Sequence, residues 1–368
     1  MKKFTLAPLA LAIALVGCDS AKTPIATQEK PAVEQQKLLA DSNPFSKKWG
    51  TAHEMPNFAV IKNDHYLPAF KAAIKQQKQE IDAIVNQKSA ATFENTIEAI
   101  EFSGNLLDKV AGVFYNLTSA ETNDELKAIA KEVSPLLSAH SDDISLNDAL
   151  FQRVAAVYDK KDSLELTTAQ QKLLKDTYVG FVRSGAKLDA KQKDQIRELN
   201  AQLAKLTLQF GDNLLAETNS FEVVVDDKSK LSGLSDSVIA AAAATAKDRG
   251  QEGKWVFTTH RPSITPVTKF ADNRELRKEL YLGYINRANN DNEHDNKEIL
   301  AKIASLRVQK AQLMGYKSHA HFVLEDRVAK TPAAVYELLN KIWPTALEEA
   351  KVEVADMQKL VDAEGGNF

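Results

Sequence analysis

The histidines are the first side chains to consider, because imidazoles one helical turn apart are common ligands of a hydrolytic zinc ion. The chain has seven of them, at positions 53, 65, 140, 260, 294, 319 and 321. A zinc hydrolase of the commonest helical type carries His-Glu-x-x-His, in which both imidazoles face one metal and the glutamate polarises a bound water. No histidine here has a second histidine four residues later. The sequence therefore predicts no metal ligand and no catalytic residue of this kind within the chain.

Two histidine segments resemble a zinc-binding motif, but neither has the geometry that a zinc site needs. A glutamate follows His53, but Asn57 stands where the second imidazole would be needed, and Pro56 would break the helix. His319 and His321 are two residues apart, so on a helix their side chains point about 200° apart and cannot share a metal, whereas on a strand they could. Because the flanking pattern is helical, we expect both to have a surface or packing role.

Other residue types give no clearer motif. The acidic pairs Asp142-Asp143 and Glu348-Glu349 have no partner motif and are expected on solvated faces. Neither a glycine-rich phosphate loop nor a nucleophile elbow occurs. The formal net charge is −3 and no run of Lys or Arg stands out, so nothing supports nucleic-acid binding. The single cysteine excludes an intrachain disulfide and a cysteine-based zinc site.

That cysteine, Cys18, ends an N-terminal segment with the pattern of a secretion signal. Lys2 and Lys3 form a basic start, and an apolar stretch over 4–16 follows that is too short to span a bilayer comfortably. The sequence Leu-Val-Gly-Cys over 15–18 resembles a bacterial lipobox, in which cleavage precedes the cysteine and lipid is attached to it. The alternative is a buried helix with a free thiol.

The lipobox interpretation divides the chain into three parts. It predicts a signal peptide over 1–17, then a lipidated Cys18 that begins a flexible tether over 18–42. The tether has two prolines, no aromatic residue and no strong period, which favours an extended segment. The body over 43–368 would then be anchored to a membrane by acyl chains and face the periplasm within a bacterial cell envelope.

The body is predicted to be mainly α. Glycine and proline are scarce, at 14 and 11 residues, which disfavours loop-rich all-β folds. Apolar residues recur at helical spacing over eight segments. These are 67–87, 92–119, 126–137, 147–158, 190–217, 273–286, 297–314 and 331–363. Pro135 is expected to kink or end the third of them, and Pro344 interrupts the last pattern.

The segment 190–217 is the clearest helix, because Asp189 can cap it and Gln192 completes a capping box. Its apolar stripe has nearly coiled-coil spacing and is expected to be core packing. The stripe consists of Ile196, Leu199, Leu203, Leu206, Phe210 and Leu214.

A small β element interrupts the helical pattern, around 221–225 and 255–270. Phe221 to Val225 and Trp255 to Thr258 are short and rich in β-branched or aromatic residues, which is typical of strands. Pro262 and Pro266 are expected to bracket a turn before a further extended segment over 267–270. A helix through the alanine run 240–244 separates the two strands.

Seven short blocks of the body carry a family resemblance. They are Asn43-Pro44-Phe45, 61–70, 92–96, 210–215, 233–235, Gly315-Tyr316 and 324–332. In order and spacing they resemble bacterial peptidyl-dipeptidases (dipeptidyl carboxypeptidases) of the thimet oligopeptidase and oligopeptidase A family of zinc metallopeptidases. The block over 324–332, Leu-Glu-Asp-Arg-Val-Ala-Lys-Thr-Pro, is the most specific, and the resemblance covers about 43–364.

The resemblance implies a helical, two-lobed zinc metallopeptidase with a deep channel, which removes dipeptides from the C-termini of short peptides. In that family the zinc ligands come from a His-Glu-x-x-His helix and a further glutamate, and all of them would lie beyond residue 368. The chain is therefore expected to be the N-terminal half, a scaffold and channel wall that binds no zinc and is inactive alone. The chain would then contain no catalytic residue and no metal ligand, and Cys18 would be its lipidation site.

A second hypothesis from a different class stays open. The chain would then be a non-catalytic helical lipoprotein that acts as a binding or scaffolding module.

Overall fold

Helices dominate the computed structural model, which describes residues 38–366. The α-helices are α1 (Tyr66–Val85), α2 (Ala99–Glu101), α3 (Asn105–Ala120), α4 (Asp124–Ser145), α5 (Asp148–Tyr158), α6 (Thr168–Ser184), α7 (Ala190–Ser220), α8 (Asp236–Asp248), α9 (Arg261–Phe270), α10 (Arg274–Ile285), α11 (Lys297–Leu313), α12 (His319–Glu325) and α13 (Pro332–Ala363). The strands are β1 (Val223–Val225) and β2 (Trp255–Phe257). Short 3₁₀ turns lie at Pro44–Ser46, Ala52–Glu54, Asn63–His65, Lys161–Ser163 and Lys228–Leu231, and a π-helical turn covers Phe93–Glu98. The prediction of a mainly α fold is confirmed.

The first six helices form a bundle around an aromatic and aliphatic core. Helix α1 packs against α3 and α4, and α5 packs against α6. Phe70 and Tyr66 of α1 both meet the ring of Phe114 edge-on, at centroid distances of 5.3 and 5.1 Å. These rings are fully buried, so the aromatic contacts fix α1 against α3.

Helix α7 follows this bundle and packs between α4 and α11. Its start is as predicted: Asp189 accepts a hydrogen bond from the Gln192 backbone N–H at 2.8 Å, and Gln192 accepts one from the Asp189 backbone N–H at 3.1 Å. Of the predicted apolar stripe, Ile196 and Leu199 are buried. The four later members of the stripe are only half-buried.

The predicted β element is a two-stranded antiparallel sheet in which Val223 pairs with Phe257 and Val225 with Trp255. The predicted turn at Pro262 and Pro266 and the further extended segment predicted over 267–270 are wrong, because Arg261–Phe270 forms helix α9. Pro262 lies in the first helical turn, where its fixed φ suits the helix and no N–H is needed. Burial of Val267 in the core between the sheet, α8 and α10 stabilises the helical alternative.

The single helix predicted over 92–119 is divided. The π-helical turn and α2 end before Gly104, whose φ of +78° belongs to the left-handed region, and α3 begins after it. The backbone N–H of Gly104 donates to Glu80 Oε2 at 2.7 Å, and a Cβ at this position would lie 2.3 Å from the side chain of Gln77. Close approach to α1 therefore breaks the helix, which apolar spacing alone does not reveal.

Helices α4 and α13 both continue past an internal proline, so Pro135 does not end its helix, and the pattern around Pro344 runs on as predicted. Helix α4 continues through Pro135 to Ser145, and α13 continues through Pro344. The fixed φ of proline is compatible with helical geometry, and only one backbone hydrogen bond is lost at each site. Helix α6 was not predicted at all, although Thr167 and Gln170 form a capping box at its start.

Candidate functional site

The residues that sequence analysis tested as metal ligands are dispersed in the structure. Cys18, the predicted lipidation site, lies outside the described residues. His53 and Glu54 lie in an exposed turn with left-handed φ values of 57° and 52°. Within residues 38–366, no group of three or more His, Cys, Asp or Glu side chains is placed to hold a metal ion.

The histidine pair lies on a helix, as predicted from its flanking pattern. Ser318 caps α12 by accepting a hydrogen bond from the His321 backbone N–H at 3.3 Å, and its hydroxyl also lies 2.8 Å from His321 Nδ1. Burial and the nearby charges of Arg307 and Lys310 lower the pKa of His319. His321 thus takes part in a helix cap.

A cleft of about 500 Å³, here called the polar cleft, lies between α4, α6, α7, α11 and α12. Its walls combine charged groups, four serine hydroxyls and one aromatic ring. They are formed by Ser138, Ser141, Asp142, Ser145, Gly180, Arg183, Ser184, Asn200, Lys310 and Phe322.

A charged network crosses the polar cleft. Asn200 of α7 donates from Nδ2 to Asp142 Oδ1 at 2.7 Å, and its Oδ1 accepts a hydrogen bond from Lys310 Nζ at 2.6 Å. Burial raises the pKa of Asp142, and burial lowers the pKa of Lys310. Asp142 is only 6% exposed, so the expectation that the Asp142-Asp143 pair lies on a solvated face is wrong for its first member.

Several contacts hold the guanidinium group of Arg183, which also lines the cleft. Arg183 of α6 forms an ion pair with Glu325, donates from Nη2 to the carbonyl oxygen of Phe322 at 2.8 Å, and lies 4.5 Å over the Phe322 ring. The hydroxyl of Tyr316 also donates to Glu325. These contacts hold α12 against α6 and fix a positive charge at the edge of the cleft.

Glu217, which is buried on α7, forms a second set of polar contacts further along that helix. Asn290 and Asn292 each donate from Nδ2 to the Glu217 carboxylate at 2.5 Å, and the backbone N–H of Ala288 donates to it at 3.4 Å. Burial acts to raise the pKa of Glu217, but these hydrogen bonds outweigh it and the net pKa is lowered. The carboxylate therefore fastens the 286–296 loop to α7.

Helix α13 exposes many large apolar side chains. None of its residues is buried, and Trp343 is 64% exposed. The exposed large apolar side chains are Tyr336, Leu338, Leu339, Ile342, Trp343, Leu347, Val352, Val354, Met357 and Leu360. Among the described elements, α12 packs against it, and this contact is small. So many large apolar side chains exposed along one helix indicate an interaction site.

None of the helices described between residues 38 and 366 combines the length and the apolar character needed to cross a membrane.

Known proteins similar to this chain are peptidases. Residues 267–368 match Peptidase family M3. The chain is 36% identical over 334 residues to the dipeptidyl carboxypeptidase of Escherichia coli K12, and 35% identical over 327 residues to that of Salmonella typhimurium. It is 28% identical over 320 residues to the oligopeptidase A of Salmonella typhimurium.

These alignments cover most of this chain and about half of each relative. The first covers 90% of this chain and 48% of the Escherichia coli protein, and the other two cover 89% and 86% of this chain against 48% and 47% of the relatives. The chain therefore spans about half the length of the curated relatives it matches. The predicted resemblance is confirmed: the last part of the chain matches Peptidase family M3, and most of its length is similar to dipeptidyl carboxypeptidases and oligopeptidase A.

Proposed function

We propose that the chain is the helical scaffold part of a zinc-dependent peptidase that releases dipeptides from the C-termini of short peptides. The observation that carries this proposal is the 36% identity, over 90% of the chain, to a protein named dipeptidyl carboxypeptidase. The described residues do not fit a zinc site, so no catalytic step is assigned to them. The metal and the reacting groups would come from the part of such a protein that this chain does not match.

The exposed face of α13 supports a scaffold role. An apolar helix is stable in a globular protein when its apolar stripe packs against another element. Helix α13 is part of the segment that matches family M3, yet it buries none of its residues. Because the relatives are about twice as long as the matched region, the unmatched part supplies a natural partner for this face.

A chimera tests the proposed function. The chain would be joined to the part of the Escherichia coli dipeptidyl carboxypeptidase that it does not match, and assayed for dipeptide release from a blocked tetrapeptide. We expect release that EDTA abolishes and zinc restores, because metal-activated water would attack the peptide bond. The chain alone and the added part alone are the controls, and both should be inactive. Zinc-dependent release by the chain alone would contradict the scaffold assignment.

We further propose that the protein is a lipoprotein anchored through Cys18 and facing the periplasm. The support is the sequence over 15–18 and the basic and apolar residues before it. Metabolic labelling with a radioactive or clickable fatty acid tests this directly. Cys18→Ser should abolish labelling and leave the precursor uncleaved. Labelling that survives the substitution would show that the lipid, if any, is attached elsewhere.

A further inference from the structure

We propose that the polar cleft binds a small zwitterion of the amino-acid or dipeptide class. The cleft lies outside the role given to this chain above, which needs only its scaffold. The proposal therefore stands on the geometry of the cleft and would survive a failure of the peptidase assignment.

The internal network explains only part of what lines the cleft. Asn200 links Asp142 to Lys310, and such a network could exist solely to join α4, α7 and α11. The serines are different, because the hydroxyls of Ser138, Ser141, Ser145 and Ser184 form no hydrogen bond with residues 38–366. Ser141 is exposed and the other three are half-buried, so a ligand in the cleft can reach them. A helical serine either bonds back to a carbonyl of the preceding turn or leaves its hydroxyl to solvent, and these four leave their hydroxyls along the cleft. Four such hydroxyls along one cleft offer hydrogen bonds to a ligand rich in polar groups.

The charges of the cleft select the kind of ligand. Lys310 uses one of its three N–H groups on Asn200, and the other two have no acceptor among residues 38–366. Asp142 Oδ1 accepts from the same amide, so a carboxylate and an ammonium lie close together on one wall. A ligand carrying both signs can pair with both groups at once. A dianion such as phosphate would gain from Lys310 but would be repelled by the buried Asp142 carboxylate.

The remaining walls suit a compact molecule with a modest apolar part. Arg183 holds its positive charge at the rim, and the ring of Phe322 presents the one aromatic surface. The volume of about 500 Å³ lies within the usual range for small-molecule sites, roughly 300–1,000 Å³. In the arrangement we infer, the ligand ammonium donates to Asp142, its carboxylate accepts from Lys310, and the serine hydroxyls pair with its remaining polar atoms.

Isothermal titration calorimetry of the whole chain with glycylglycine tests the proposal. We expect saturable binding that weakens at least about tenfold in Asp142→Asn and in Lys310→Met, because each removes a charge-assisted hydrogen bond. Asp142→Asn keeps the acceptor for Asn200, and Lys310→Met keeps the length of the side chain. Lys302→Met, at an exposed position of the same helix, is the matched control and should leave binding unchanged.

Three further ligands separate a zwitterion site from simpler ones. N-acetylglycylglycine lacks the ammonium and glycylglycinamide lacks the carboxylate, so each should bind at least about tenfold more weakly. Inorganic phosphate should bind more weakly than glycylglycine. Far-ultraviolet circular dichroism verifies that each variant is folded. The double variant Ser141→Ala, Ser145→Ala should bind glycylglycine more weakly than the unmodified chain, with a smaller loss than either charge variant. No saturable binding of glycylglycine, equal binding by a blocked derivative, or tighter binding of phosphate would overturn the proposal.

Discussion

Helices α7 and α13 are nearly equal in length, at 31 and 32 residues, and both begin at a polar N-cap, yet they stand in opposite environments. Helix α7 packs between α4 and α11 and buries both apolar and charged side chains. Helix α13 has a comparable supply of apolar residues and buries none of them. The difference shows that a helix and its apolar stripe are local properties of sequence, whereas burial depends on a partner that the helix does not specify by itself.

The strongest test of this contrast removes an apolar side chain from each helix. Ile196 on α7 is fully buried, whereas Ile342 on α13 is 54% exposed. Ile196→Ala should lower the free energy of unfolding by about 2–5 kcal/mol, because it leaves a cavity. Ile342→Ala should change it by less than about 0.5 kcal/mol. Urea denaturation followed by circular dichroism measures both. Equal losses would show that α13 is covered in solution, for example by a second copy of the chain.

A second test compares a buried carboxylate on α7 with an exposed one on α13. Glu217→Gln retains the shape but places an amide N–H₂ group against the donors of Asn290 and Asn292, so it should cost about 1.5–3 kcal/mol at neutral pH. Glu353→Gln, on the exposed surface of α13, is the matched control and should have no measurable effect.

The stabilising effect of Glu217 should depend on pH in a definite direction. The folded-state pKa of Glu217 is depressed below its ordinary value of 4.5, so ionised Glu217 stabilises the folded state above that pH. The contribution is lost as the pH falls below 4.5 through the lowered folded-state pKa. The difference between the wild-type protein and Glu217→Gln should therefore shrink in acid. A difference that stays constant from pH 7 to about pH 3 would mean that the carboxylate charge is not what fastens the loop.

Local signals were enough to predict most helices and the sheet, because each depends on nearby residues. The capping box at Asp189 and Gln192, and the proline after Thr331, mark helix starts correctly. The break at Gly104 was missed, because it depends on contact with Gln77 and Glu80 of another helix. Apolar periodicity indicates where a helix can form, but it contains no information about contacts with another helix.

The polar cleft was missed for a related reason, although its sequence does contain a signal. Lys310 continues the spacing of the buried Ile303 and Leu306 on α11, and Asn200 lies one turn beyond the buried Ile196 on α7. A polar residue on an otherwise apolar stripe must find a partner when it is buried. Recognising that Asp142 is this partner requires the relative placement of three helices, which no segment of the sequence contains.

The smallest expected effects come from the two N-caps. Asp189→Ala should destabilise the folded protein by about 1 kcal/mol, because it exposes the unpaired N–H groups at the start of a packed helix. Thr331 accepts a hydrogen bond from the Ala334 backbone N–H at 3.2 Å, so Thr331→Ala removes the same kind of contact from α13. Because α13 buries none of its residues, the loss of its cap should not reach the global unfolding transition.

Amide hydrogen exchange by mass spectrometry distinguishes these outcomes. In the unmodified chain, amides of α13 should exchange faster than those around Ile196, since local opening of an unpacked helix costs little. Thr331→Ala should accelerate exchange within α13 and leave the urea midpoint unchanged, whereas Asp189→Ala should lower that midpoint. In the chimera that supplies the unmatched part of a relative, exchange in α13 should slow toward that of α7. If α13 is already as protected as α7 in the chain alone, the exposed face has a partner in solution and the contrast between the two helices is wrong.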